Sequence, residues 1–195
     1  EAVAEMLELQ PDDELLDIGC GPGAFLATQA TGVGRVVGLD PSPVMLHEAE
    51  RRLADRIAAG TARVVSGNAA ALPFDDGEFS AAAAIFAPAK LPEVFRVLRP
   101  GGRFVIGDPD PKMSPDEPSA TWGIPRWGEA EYRQMLEAAG FGDLAVRFVT
   151  GGASARLLGY RHALLIAGRK PLVSIPDEPD EPGAQRELVE GAVHA

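Results

Sequence analysis

Leu15–Phe25 reads LLDIGCGPGAF: an apolar, strand-like run, a carboxylate at Asp17, then glycines at 19, 21 and 23 ahead of a helix-like stretch. A strand turning sharply into a helix leaves unpaired backbone N–H groups facing the crevice beyond it, and glycines let a ligand approach the main chain closely. The spacing also satisfies the loose dinucleotide pattern G-x-G-x-x-G/A, with Ala24 last. Asp17 divides the possible ligands. A carboxylate two residues before the first glycine repels a pyrophosphate, whereas it can orient the turn or face a cationic amino group. Asp40 ends the next strand-like segment, where an acidic side chain can take two ribose hydroxyls. Together the two acids point to a nucleoside with a charged amino-acid end.

Outward from this turn, strands and helices alternate. The pattern predicts a helix over Glu1–Leu9, a strand over Glu14–Ile18, a helix from Gly23 to about Ala30 and a strand over Val36–Leu39. A helix over Pro43–Ala59 follows, then strands over Ala62–Ser66 and Ser80–Phe86, a helix over Leu91–Leu98 and a strand over Arg103–Gly107. Such alternation predicts a parallel sheet covered by helices on both faces. The stretch 108–127 then holds five prolines and both tryptophans without periodicity, which reads as a long loop. Glu129–Ala139 is amphipathic, with Tyr132, Met135 and Leu136 inward and Gly140 as its stop. The strands Leu144–Thr150 and His162–Ala167 lie too close in sequence for a parallel crossover and predict an antiparallel edge.

Composition bounds the function classes. The 195 residues, 46% hydrophobic and 24% charged, suit one globular domain, expected over residues 1–170. From Pro171 onward six acids face Arg186 alone among four prolines, so 171–195 reads as an acidic extension that adds little to the core. The net charge of −11 argues against a nucleic-acid partner. No apolar run is long enough for a membrane span. The single cysteine, Cys20, and the lack of an export-type segment make a cytoplasmic address the expectation. No Cys/His cluster supports a metal site.

The sequence resembles the class I S-adenosylmethionine-dependent methyltransferases. LLDIGCGPG is similar to their first motif, and VVGLDPSPVMLHEAERR (36–52) to their second strand and following helix. GNAAALPFDDGEFS (67–80), FRVLRPGGRFVI (95–106) and EYRQMLEAAGF (131–141) resemble later segments in the same order. The resemblance implies an α/β, Rossmann-like, doubly wound and mostly parallel seven-stranded sheet with an antiparallel C-terminal strand pair. It further implies methyl transfer from S-adenosylmethionine to a small-molecule acceptor. Gly19, Cys20, Gly21 and Gly23 would line the methionine part, and Asp40 would hold the ribose. Pro41 and Met45 would cover the adenine, Asn68 and Ala69 would meet its edge, and the main chain at Ile85 and Phe86, with Asp17, would serve the amino group. Two other readings remain: a cofactor-binding subunit without methyl transfer, and an NAD(P)-dependent oxidoreductase.

Two departures from the family pattern stand out. Asn68 replaces a frequent aspartate, and Phe79-Ser80 opens a segment about seven residues shorter than usual, on the side where the methyl acceptor is expected. For a general base, Asp108 at a strand's carboxyl end is a better candidate than His47, His162 or His194, none of which has a partner at useful spacing; the other reading of Asp108 is a cap for the Pro-rich turn that follows. Trp122 and Trp127 either wall an apolar acceptor or pin the long loop onto the sheet. Asp40, at a strand end, is expected to be removable without damage to the fold.

Overall fold

The computed structural model describes residues 1–109, 127–150 and 162–172. In chain order the elements are α1 (Ala2–Met6), β1 (Glu14–Ile18), α2 (Ala24–Thr28), β2 (Arg35–Asp40), α3 (Pro43–Arg52), α4 (Ala54–Ala58) and β3 (Ala62–Ser66). They continue with β4 (Phe79–Ile85), α5 (Leu91–Val97), β5 (Leu98–Pro109), α6 (Glu129–Ala138), β6 (Gly142–Thr150) and β7 (His162–Arg169). The seven strands form one sheet in the order β3-β2-β1-β4-β5-β7-β6. The pairs from β3 through β5 are parallel. β7 inserts antiparallel between β5 and β6, so it alone runs in the opposite sense. The strand order reverses beside β1, which places a crevice beyond the carboxyl ends of β1 and β4.

Alternation along the strands builds two cores. Leu16, Ile18, Ala82, Ala84, Phe104 and Ile106 face α5 and α6, meeting Val94, Val97 and Leu136. Leu15, Ala81, Ala83 and Val105 face the other way, against Val3, Leu7, Leu26 and Leu53 from the remaining helices. Four consecutive alanines carry β4 through the middle of the sheet, all fully buried. Alanine favours helix by intrinsic propensity, and strand pairing on both sides overrides it here.

Where the structure departs from the sequence reading, the causes are local. The expected helix over 43–59 divides at Leu53, which turns into the core while Arg56 donates to the carbonyls of Ala30 and Val33. β5 begins at Leu98, five residues early, because Leu98 pairs with Phe79 before a register shift. α6 ends at Ala138 and Gly140 stops it as expected, its φ of 96° letting Phe141 N–H reach the Leu136 carbonyl and Gly140 N–H reach that of Glu137. No helix among the described residues is long and apolar enough to cross a membrane. The expectations for Trp122, His194 and the tail beyond Leu172 lie outside the described residues.

Candidate functional site

The turn after β1 is held from below. Gly19 and Cys20 both donate their N–H to the Leu39 carbonyl, at 2.7 and 3.0 Å, which fastens the turn to β2. Gly19, Gly21 and Gly23 all have φ between 52° and 73°, the left-handed region that glycine occupies without strain. Their surroundings differ. A Cβ on Gly19 would lie 2.3 Å from that of Ala87, and one on Gly23 would lie 3.1 Å from that of Ala49. A Cβ on Gly21 would meet nothing within 4 Å. Two of the glycines thus permit close packing, and the third opens onto free space.

Asp40 is not the loose strand-end acid that its position in sequence suggests. It is buried, and its two oxygens accept from Gly21 N–H and Ser42 N–H, each at 2.9 Å. One side chain therefore sets the glycine turn against the start of α3. An ionised carboxylate has about four lone-pair sites, so two remain for a ligand's hydroxyls. Asp17 is buried beside this arrangement and accepts no hydrogen bond among the described residues. Burial first, and the charge of Asp40 second, push its carboxyl up to about 8. Burial also holds the Cys20 thiol well above its ordinary range, helped by both carboxylates, so it stays protonated and is a poor nucleophile or metal ligand. No group of three or more metal-ligating side chains occurs among the described residues.

β4 ends at Ile85 and turns out through Phe86, whose φ of 54° is unusual for a bulky residue. Phe86 N–H donates to the Gly107 carbonyl at 2.7 Å, tying this turn to β5. The residues that follow are few, yet they build a wall: Ala87, Pro88, Ala89 and Leu91 line a cavity of about 160 Å³. The short segment after Phe79 thus still supplies one side of a pocket. Ile106, Asp108, Trp127, Tyr132 and Met135 complete it. Ser80, where that segment opens, acts at the opposite end of the sheet, donating to Asp13 and accepting from Glu14 N–H.

Asp108 borders this cavity almost fully buried, with Oδ2 accepting from the Tyr132 hydroxyl and Oδ1 without a partner among the described residues. Its desolvation pushes the carboxyl up to about 7. Sequence reasoning counted Tyr132 only as core. The available signal was the residue type, since a buried tyrosine hydroxyl needs a partner where leucine would not. Of the histidines, His47 is exposed and His162 meets Thr150.

A family model described as a methyltransferase domain matches residues 15–102. The demethylmenaquinone methyltransferase of Lactiplantibacillus plantarum is 33% identical over 197 residues, covering 80% of this chain and 82% of that protein. The chain belongs to the class I S-adenosylmethionine-dependent methyltransferase family. A demethylmenaquinone methyltransferase of Symbiobacterium thermophilum is 37% identical over 106 residues, 49% of this chain and 42% of that one. The chain spans about a third of the length of several other curated relatives it matches. Among solved structures, the YcgJ protein of Bacillus subtilis superposes with a TM-score of 0.66 at 19% identity, over 87% of this chain and 97% of that one, a likeness of fold.

For this methyltransferase-family chain, the structure brings Asp17, Gly19, Cys20, Gly21, Gly23 and Asp40 together around the β1–α2 turn. The remaining candidates are more dispersed in character. Met45 is 38% exposed, whereas its neighbour Leu46 takes the core position. Pro41 and Asn68 are exposed, and Ala69 is half-buried against the core. Asn68 Oδ1 already accepts from Ala70 N–H at 2.8 Å, so a contact with an adenine edge would share that oxygen or use the amide nitrogen.

Proposed function

We propose that this chain binds S-adenosylmethionine in the glycine-lined crevice and transfers its methyl group to a small-molecule acceptor. One observation carries the reading: Asp40 fastens the turn through Gly21 N–H while keeping lone pairs free on both oxygens. Bound there, S-adenosylmethionine supplies a methyl group on a positively charged sulfur. The main chain from Gly19 to Gly23 would line the amino-acid part, and Asp40 would take the ribose hydroxyls. Pro41, Met45, Asn68 and Ala69 would surround the adenine. Asp17, which accepts no hydrogen bond among the described residues, would receive the ammonium group with the main chain at Ile85 and Phe86, and that charge favours the ionised carboxylate. Such a displacement gains mainly from alignment and exclusion of water, and well-aligned reactants can supply about 7–11 kcal/mol. The acidic net charge supports a partner other than nucleic acid. The lone cysteine supports a cytoplasmic address.

Calorimetric titration and thermal unfolding with S-adenosylmethionine and S-adenosylhomocysteine test the binding. A ligand held only by the folded state stabilises it by ~2.7 kcal/mol at a hundredfold excess over Kd. We expect a clear rise in Tm with both ligands and none with NADH; no rise at millimolar concentration overturns the reading. Asp40→Ala should weaken binding at least tenfold. It should also cost about 1–3 kcal/mol of stability, because two N–H donors lose their acceptor.

A further inference from the structure

α5 grips the segment that follows β3 with two charged side chains. Every N–H group of the Arg96 guanidinium has an acceptor. Nε and Nη2 donate to the two oxygens of Glu93, at 3.1 and 2.9 Å. Nη2 also reaches the Leu72 carbonyl at 3.0 Å, and Nη1 reaches the Phe74 carbonyl and Asp76 Oδ1, both at 2.8 Å. Glu93 Oε2 accepts from Leu72 N–H at 3.0 Å, so both backbone groups of Leu72 end on this pair. The Arg96 guanidinium first, and the Leu72 N–H second, hold the Glu93 carboxyl below its ordinary range, so the pair stays charged.

Upstream of Leu72 the chain closes on itself. Ala71 N–H donates to the Asn68 carbonyl at 3.0 Å, and Ala70 N–H donates to Asn68 Oδ1 at 2.8 Å. On the other side, Gly67 N–H reaches the Asp40 carbonyl at 3.3 Å. The turn 68–71 therefore hangs between two anchors, the end of β2 and the pair on α5. Asn68 is exposed, so its orientation depends on the backbone that carries it. Because Ala70 N–H takes Oδ1, the donor and acceptor ends of the Asn68 amide keep fixed places, and Oδ1 retains a second lone pair. Adenine offers an amino donor beside a ring-nitrogen acceptor, which an oriented asparagine amide matches. A 6-oxopurine reverses that order, and the amide would have to turn over and release Ala70.

We propose that Glu93 and Arg96 are positioning residues for the cofactor's base, which by fixing the turn 68–71 make the site select adenine over a 6-oxopurine. The inference rests on the methyl-transfer reading above. Neither side chain needs to touch the ligand, since both act through Leu72.

The experiment uses the full chain with S-adenosylhomocysteine and S-inosylhomocysteine, which differ only at the edge of the base. Calorimetry on the parent should give about tenfold tighter binding of the adenine compound. Arg96→Lys keeps the charge, but one ammonium cannot span Leu72, Phe74 and Glu93, and the two affinities should converge. Arg103→Ala, destabilised at the far end of the sheet, should keep the preference, which separates positioning from a general loss of stability. In the empty protein, hydrogen exchange at Ala70 and Ala71 should quicken about tenfold in Arg96→Lys, with Gly19 and Gly21 unchanged. Unchanged exchange at Ala70 and Ala71 overturns the inference whatever the cofactor does. So does a preference that survives Arg96→Lys, or one that Arg103→Ala also erases. A parent that binds both compounds equally overturns the selection of adenine and leaves the methyl-transfer reading standing; a parent that binds neither overturns both.

Discussion

At the scale of single residues, the site is defined by carboxylates placed where water is scarce. Asp17 and Asp108 are both buried, and neither faces a cation among the described residues. For Asp17 the consequence for stability follows from the direction of its shift. The unfolded carboxyl ionises near 3.8, while the folded one keeps its proton up to about 8. Between these values the unfolded state binds fewer protons, so the empty protein loses stability as pH rises, by up to ~1.4 kcal/mol per pH unit for this group. Asp17→Asn removes the ionisation. We expect the variant to match the parent near pH 4 and to exceed it by more than ~1 kcal/mol at pH 8 in urea unfolding. Its affinity for S-adenosylmethionine should fall at the same time. A variant less stable than the parent at pH 8 would show that Asp17 is a structural acceptor rather than a group kept ready for a cation.

At the scale of elements, the β1–α2 turn divides its labour among three glycines. Gly19 packs on Ala87 and Gly23 packs on α3, while Gly21 presents its open side to the crevice. Substitution should separate the two uses. Gly19→Ala forces a Cβ into Ala87 and strains φ, and overpacking of this kind costs about 1–3 kcal/mol. Gly21→Ala meets no neighbour and should cost only the conformational penalty, ~1–2 kcal/mol, yet should weaken S-adenosylmethionine binding more than Gly19→Ala does at equal folded fraction. Chemical denaturation and calorimetry on the same samples decide it; equal affinity in Gly21→Ala and the parent would place the ligand away from the turn. Phe86 shows a different use of backbone strain. Its left-handed conformation turns the chain out of β4 toward the cavity wall, and strain of this kind persists where surrounding structure enforces it.

At the scale of the whole molecule, the sheet has a binding end and a fastening end. At the fastening end, Asp13 is buried and accepts from Gln10 N–H, Ser80 and Arg103, joining β1, β4 and β5. Arg103→Ala leaves that carboxylate without its cation, and breaking a buried pair costs about 3–5 kcal/mol. The loss should appear in Tm alone, with S-adenosylmethionine affinity unchanged under folding conditions, because the crevice lies at the other end of the strands. The glycine spacing, the acids at 17 and 40, and the alternation of strands with helices were all legible in sequence, since each is a local pattern dictated by backbone geometry within one turn or one strand. So was the antiparallel β6–β7 pair, from the shortness of its connection. The role of Ser80 was not legible, because its partners Asp13 and Glu14 stand 67 and 66 residues away. Nor was the insertion of β7 between β5 and β6, which depends on which strand edges the helices leave free. Asp108 could be placed at a strand's carboxyl end from sequence, but whether it was a turn cap or a buried acid depended on α6 docking over β5. That docking brings Tyr132 to one oxygen and an apolar wall to the other. Hydrogen-bond partners and desolvation are properties of packed neighbours, and neighbours distant in sequence are chosen only when the chain closes its core.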